Sequence, residues 1–168
     1  MNIGIFGLSG VGKTFLASKF VENRNDFILT RASKLIKDFK HDIKYQTLNE
    51  SSVNRNQLAL IKSFELFKEN HPNKNILIEL HNIIETPNGP IPIDDCVFEK
   101  LKLDAACFIS RPPKEILIQR SLDLTRERSS ANESEIEDYQ HRAIALFKKS
   151  FMRLPPSRIS ILNSPSKE

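Results

Sequence analysis

Between residues 7 and 14 the chain reads Gly-Leu-Ser-Gly-Val-Gly-Lys-Thr: three glycines, then a lysine and a hydroxyl. The spacing fits G-x-x-x-x-G-K-[ST], a loop that cradles phosphates. A triphosphate is a dense anion, and a helix N-terminus meets it with unpaired N–H groups and the positive end of the helix dipole. Gly7, Gly10 and Gly12, with Val11 between the last two, let the backbone close around phosphates where a Cβ would obstruct it. Lys13 supplies positive charge for the β and γ phosphates, and the Thr14 hydroxyl is a ligand for Mg2+. These residues suit the binding of a magnesium–nucleoside triphosphate.

A second concentration of charge lies in "RPPKEILIQRSLDLTRERSS", which carries Arg111, Arg120, Arg126 and Arg128. Phosphoryl transfer spreads negative charge over the transferred oxygens, and arginines closed over that centre stabilise it. Arg120 and Asp123 stand three apart, a spacing that lets them pair on a helix and brace the arginine. The same run also reads as a solvated, salt-bridged helix face, and composition does not separate the two.

The elements that must position these groups follow from hydrophobic periodicity. Strand-length apolar runs recur at 2–6, 27–30, 75–80, 105–109 and 158–162. Between them, 55–69 places Leu60, Ile61, Phe64 and Phe67 on one helical stripe, and 113–128 and 133–151 also have helical spacing, the latter opened by Asn132 as N-cap. Near-continuous apolar strands alternating with helices imply a parallel sheet covered on both faces. Ligands of such sheets sit at the carboxyl ends of the strands. The stretch 81–95, "HNIIETPNGPIPIDD", follows the third strand, and its prolines, Asn88 and Gly89 predict an irregular, functional loop.

At 168 residues one compact α/β domain over 1–168 is expected, large enough to fold without disulfides or a structural metal. The net charge of +4 suits an anionic substrate but is too weak to imply nucleic acid, and no aromatic-and-arginine stripe is present. Cys96 and Cys107 stand apart with no C-x-x-C, which excludes a zinc knuckle or dithiol site; Cys107 reads as a small hydrophobe. Neither a leader pattern nor an apolar run long enough to span a bilayer is seen, so the expectation is a soluble cytoplasmic protein without membrane partners.

Two further stretches extend the reading. "IELHNIIETPNGPIPIDD" resembles D-x-H-x-x-I-x-T-P-x-G-x-x-P, and "RSLDLTRERSSANESEIEDYQ" resembles R-x-x-D-x-T-R-x-R-D followed by a helix with E-x-Q. With the glycine loop they occur in the order found in the archaeal-type adenylate kinases, a branch of the P-loop nucleoside monophosphate kinases. The resemblance covers most of the chain. It implies a P-loop NTPase fold with a five-stranded parallel sheet, and reversible transfer from Mg-ATP to a nucleoside monophosphate, with AMP favoured. Gly7, Gly10, Val11, Gly12, Lys13 and Thr14 fall on the ATP loop. Arg120, Arg126 and Arg128 fall, with Lys13, among the groups that stabilise transfer, within a short lid around 120–130 in which Arg126 also contacts ATP. His81 and Ser33 fall beside the acceptor, with Arg31 and Lys37 flanking Ser33 as holders of its phosphate. Glu79 stands where the family has Asp, orienting a Mg2+-bound water.

Other departures are Ser129 for the Asp after the last lid arginine, and Ile144 where the family carries a further arginine. Arg142 lies two residues away, about 200° around the helix. The family's closing helix after the last strand has no counterpart in "RISILNSPSKE", so either the helix ending near Phe151-Met152 or a second subunit is expected to cover that strand. Self-association is the favoured outcome. Two alternatives to the nucleotide kinase are a kinase for another small metabolite and a nucleotide-regulated binding protein with little phosphotransfer.

Overall fold

The computed structural model describes residues 1–40, 50–86, 88–123 and 131–163. Strand β1 (Asn2–Phe6) leads through the glycine loop into α1 (Lys13–Val21), then β2 (Phe27–Arg31), α2 (Ala32–Lys40), α3 (Glu50–Glu69) and β3 (Asn75–Glu79). A hairpin of β4 (Ile83–Thr86) and β5 (Gly89–Pro92) precedes α4 (Asp95–Leu101). The chain continues through β6 (Ala105–Ser110), α5 (Pro113–Leu122), α6 (Glu133–Phe151) and β7 (Ile159–Asn163). Five strands form one sheet in the order β2-β3-β1-β6-β7, and every pairing is parallel. β1 sits at its centre, where successive strands switch from one side to the other. The loop after β1 therefore opens at the place where parallel sheets bind ligands.

The expected strands and the P-loop fold class are as the sequence indicates, and the helix boundaries follow from local chemistry. α6 begins with a capping box: Glu135 N donates to Asn132 Oδ1 at 3.0 Å, and Asn132 N donates to Glu135 Oε2 at 2.8 Å. Its buried stripe, Ile136, Gln140, Ala143, Phe147 and Phe151, has helical spacing. Phe147 and Phe151 meet Phe6 of β1 at centroid distances of 5.4 and 5.1 Å, with Phe98 of α4 closing edge-on at 5.2 Å. These rings are buried, so truncating one is expected to cost about 3–5 kcal/mol. The core thus clamps the end of β1 from which the phosphate loop departs.

Three expectations are corrected or bounded. The stretch 81–95 is not irregular: its proline-rich part forms the antiparallel ribbon β4–β5, with Glu85 opposite Pro90. A two-stranded ribbon leaves each strand an open edge, so Pro90 and Pro92 deprive no second neighbour of a donor. Gly89 has φ +102, and Thr86 Oγ1 donates to its carbonyl at 2.7 Å, fastening the turn. The helix expected over 113–128 is described as α5 up to Leu122; residues 124–130, with Arg126, Arg128 and Ser129, lie outside the described residues. The end of α6 does not shield β7, where Ile161 and Leu162 remain 37% and 51% exposed.

Candidate active site

Leu8 and Val11 are fully buried and pin the glycine loop to the core. A Cβ on Gly7, at φ +142, would lie 2.5 Å from the backbone oxygen of Ile109, so only glycine fits. On Gly10, at φ +92, it would press the Arg120 stem at 3.0 Å and Ile116 O at 3.3 Å, which shows how closely α5 covers the loop. Lys13 is 7% exposed, and its Nζ donates to Gly7 O at 2.7 Å and Leu8 O at 3.0 Å. Its ammonium is therefore tied to the loop's own carbonyls, ready beside the first turn of α1.

Thr14 Oγ1 donates to Glu79 Oε2 at 2.8 Å. Glu79 ends β3 beside β1 and is buried; its other oxygen, Oε1, makes no hydrogen bond. Arg31 Nε approaches that oxygen to 3.2 Å, an ion pair without the angle of a hydrogen bond. A hydroxyl and a carboxylate are hard donors of the kind Mg2+ takes. The described residues contain no cluster of three or more His, Cys, Asp or Glu that could cage a metal. Mg2+ is usually held by one or two protein groups together with phosphates and water.

Two arginines reach the loop from α5 and the strand before it. Arg120, 7% exposed in its side chain, donates through Nε to Ser9 O at 2.9 Å and grips Glu85 of β4 through both terminal nitrogens, at 2.8 and 2.6 Å. Arg120 thus pairs with Glu85 of the hairpin, and Asp123, three residues on, is the C-cap of α5. Arg111 follows β6, and its Nη2 stands 3.5 Å from where a Gly12 Cβ would be. Gln140 of α6 clamps the Arg111 backbone at both polar atoms, accepting from N at 3.1 Å and donating to O at 3.0 Å.

On the other side of Glu79, Arg31 ends β2 and Ser33 and Lys37 lie exposed on α2; His81, half-buried, follows β3. The structure thus brings Arg31 to the Thr14–Glu79 pair and leaves Ser33 and Lys37 open to solvent.

A profile of the AAA domain family matches residues 6–137. The chain belongs to that family. It is similar to the adenylate kinase of Pyrococcus horikoshii, 29% identical over 156 residues that span 84% of this chain and 76% of the relative. The adenylate kinase of Methanocaldococcus jannaschii is 27% identical over 151 residues, 80% of this chain and 75% of that one. Shikimate kinase from Bacteroides thetaiotaomicron shares the fold with a TM-score of 0.62 at 16% identity, over 97% of this chain and 86% of that chain. A sugar kinase from Janibacter sp. HTCC2649 does so with a TM-score of 0.53 at 14% identity, over 98% and 86%. The resemblance read from the motifs therefore stands, and the chain is a P-loop kinase by kinship.

Glu85 and Gln140 were not among the residues singled out for the site. Gln140 carried a signal, being a polar residue within an apolar helical stripe that includes Ile136, Ala143 and Phe147. Glu85 carried none, since it lies in a stretch read as loop and its partner is 35 residues away on α5.

Proposed function

We propose that this AAA domain protein is a cytoplasmic, single-domain nucleoside monophosphate kinase that moves a phosphoryl group from Mg-ATP to AMP or a related monophosphate. The observation that carries this reading is the convergence on Glu79. Thr14 reaches that carboxylate from the glycine loop and Arg31 reaches it from the β2–α2 side, so the two regions read as holding donor and acceptor meet at one residue. A nucleotide switch needs only the first. The similarity to two adenylate kinases supports the same substrates.

In this reading Gly7, Gly10, Val11, Gly12, Lys13 and Thr14 hold ATP, while Arg31, Ser33, Lys37 and His81 hold the acceptor. Thr14, and Glu79 through water, would hold Mg2+, whose charge offsets that of the β and γ oxygens. No general base is required, because an acceptor phosphate oxygen is already anionic; positioning and charge stabilisation supply the rate. Lys13 would exchange its loop carbonyls for phosphate oxygens. Arg126 and Arg128, on a lid around 120–130, would close over the transferred group, with Arg120 fixing that lid to the loop.

Incubation with Mg-ATP and AMP, CMP, UMP or GMP, with shikimate and simple sugars as further acceptors, followed by nucleotide chromatography, tests the proposal. Formation of ADP together with a nucleoside diphosphate is expected. Transfer to a sugar or shikimate alone, or tight ATP binding without transfer, would replace it.

A further inference from the structure

The Glu79 carboxylate serves two neighbours with its two oxygens. Oε2 accepts from Thr14 Oγ1 at 2.8 Å, and Oε1 lies 3.2 Å from Arg31 Nε. Backbone pairing brings the second contact about, because Arg31 and Glu79 are register partners at the ends of β2 and β3. The two side chains are unequally held. Glu79 is 8% exposed and Arg31 43%, so the carboxylate is fixed within the fold while the guanidinium can swing on its own stem. The Arg31 contact is also off the hydrogen-bond direction, which leaves Oε1 buried without a hydrogen bond. A buried carboxylate needs a counter-charge, whereas an ion pair with one exposed partner is screened and weak. Arg31 thus supplies the charge that Glu79 requires through a contact that is easily exchanged.

We propose that Glu79 is the positioning residue that couples the two substrates: it holds Arg31 until a Mg2+-nucleotide occupies the glycine loop, then gives Arg31 up to the phosphate of the acceptor. This rests on the phosphotransfer reading above, in which Thr14 and Glu79 hold Mg2+ and Arg31 holds the acceptor. The metal's charge meets the need that Arg31 otherwise fills. Arg31 and Mg2+ therefore compete for one carboxylate, since two cations beside the same oxygen repel each other. The released guanidinium keeps its planar fork of donors, which matches an acceptor phosphate bidentately. Glu79 without that metal charge would also repel the phosphate. Both effects have the same sign. Each ligand should tighten the other, reciprocally, by a factor within the usual range of about 5–150.

The test uses the whole chain, with R31A, E79Q and the double variant compared with wild type by calorimetry. Affinity for a non-hydrolysable ATP analogue is measured with Mg2+ and with EDTA, and the ratio of the two reads the metal's contribution. R31A is expected to raise that ratio at least about twofold, as removal of a weak competing cation implies. In the E79Q background the same substitution should leave the ratio unchanged. A residue that only braced the fold would not shift it. AMP is then titrated with and without saturating Mg2+-analogue. Wild type should bind AMP at least about fivefold more tightly with the analogue, and E79Q less than about twofold more tightly. A ratio not raised by R31A, or raised equally in the E79Q background, would overturn the exchange. Equal AMP affinity in the two conditions would overturn the coupling. Should E79Q fail to fold by circular dichroism, R31A carries the test, since the Arg31 side chain is 43% exposed. If AMP binds wild type in neither condition, the acceptor reading falls and the coupling with it, while the metal ratio still decides whether Arg31 and Mg2+ compete for Glu79.

Discussion

The glycine loop and the β2–α2 side that we propose holds the acceptor are built differently. Around the glycine loop nearly every group is held twice: Leu8 and Val11 by burial, Lys13 by two carbonyls, Arg120 by Ser9 and Glu85. On the acceptor side Ser33 and Lys37 are exposed on α2, and the Arg31 side chain is 43% exposed. A triphosphate has the same shape whatever its acceptor, so a preformed cradle costs nothing in selectivity and avoids ordering the loop on binding. The acceptor side has to discriminate, and open polar groups leave that to the ligand's own contacts. The glycine loop is held within the fold, and the proposed acceptor side stands open.

The strongest way to break this contrast is at Lys13. Lys13→Ala should reduce ATP-dependent turnover by at least about 100-fold. Because the ammonium is buried and bonded within the loop, the substitution should also lower stability, unlike truncation of an exposed lysine. Two lost bonds from a charged donor amount to roughly 1.5–3 kcal/mol each at most, reduced by loop relaxation. Turnover assays and denaturant melts read both. Retention of more than a tenth of wild-type turnover would remove Lys13 from the phosphate cradle.

Next comes the fork that fastens the hairpin to the loop. Glu85→Ala leaves a buried guanidinium without its counter-charge and should cost about 3 kcal/mol of stability. Arg120→Ala removes the same pair from the other side, so the double variant should cost clearly less than the sum of the singles. Additive effects in a urea-melt cycle would mean that the two side chains act independently. Arg126→Ala sharpens the contrast from the lid. At least a tenfold fall in kcat, or about 1.4 kcal/mol, is expected if the lid arginine meets the transferred group. An exposed helix residue would instead leave kinetics unchanged and stability within about 0.5 kcal/mol.

The same division explains what the sequence made legible. The glycine loop is contiguous and its demands are local: positive φ at Gly7, Gly10 and Gly12, and a helix start at Lys13. Residues 7–14 therefore declare it outright. The parallel strands, too, followed from apolar runs alternating with helical stripes, though their order did not. The hairpin was hidden because Pro90 and Pro92 ordinarily argue against strands, and only a ribbon with free edges accepts them. Glu85 and Gln140 act on partners 35 and 29 residues away, contacts that no local pattern encodes. The burial of Lys13 was not legible either, because nothing in its neighbours' identities reveals that the carbonyls of Gly7 and Leu8 turn towards it.

The smallest expected effect lies at Ser33, and it tests the acceptor end alone. Ser33 is exposed in the first turn of α2, just after Arg31 ends β2 at the ligand side of the sheet. A hydroxyl there makes at most one neutral hydrogen bond to an acceptor phosphate, worth about 0.5–1.5 kcal/mol net. Ser33→Ala should accordingly raise KM for the monophosphate about threefold while leaving KM for ATP unchanged. Stability should move by less than about 0.5 kcal/mol, since no buried partner is lost. Initial-rate kinetics with each substrate varied in turn separate the two KM values. An equal rise in both would place Ser33 outside the acceptor pocket, and with it the claim that α2 supplies the open, selective half of the site.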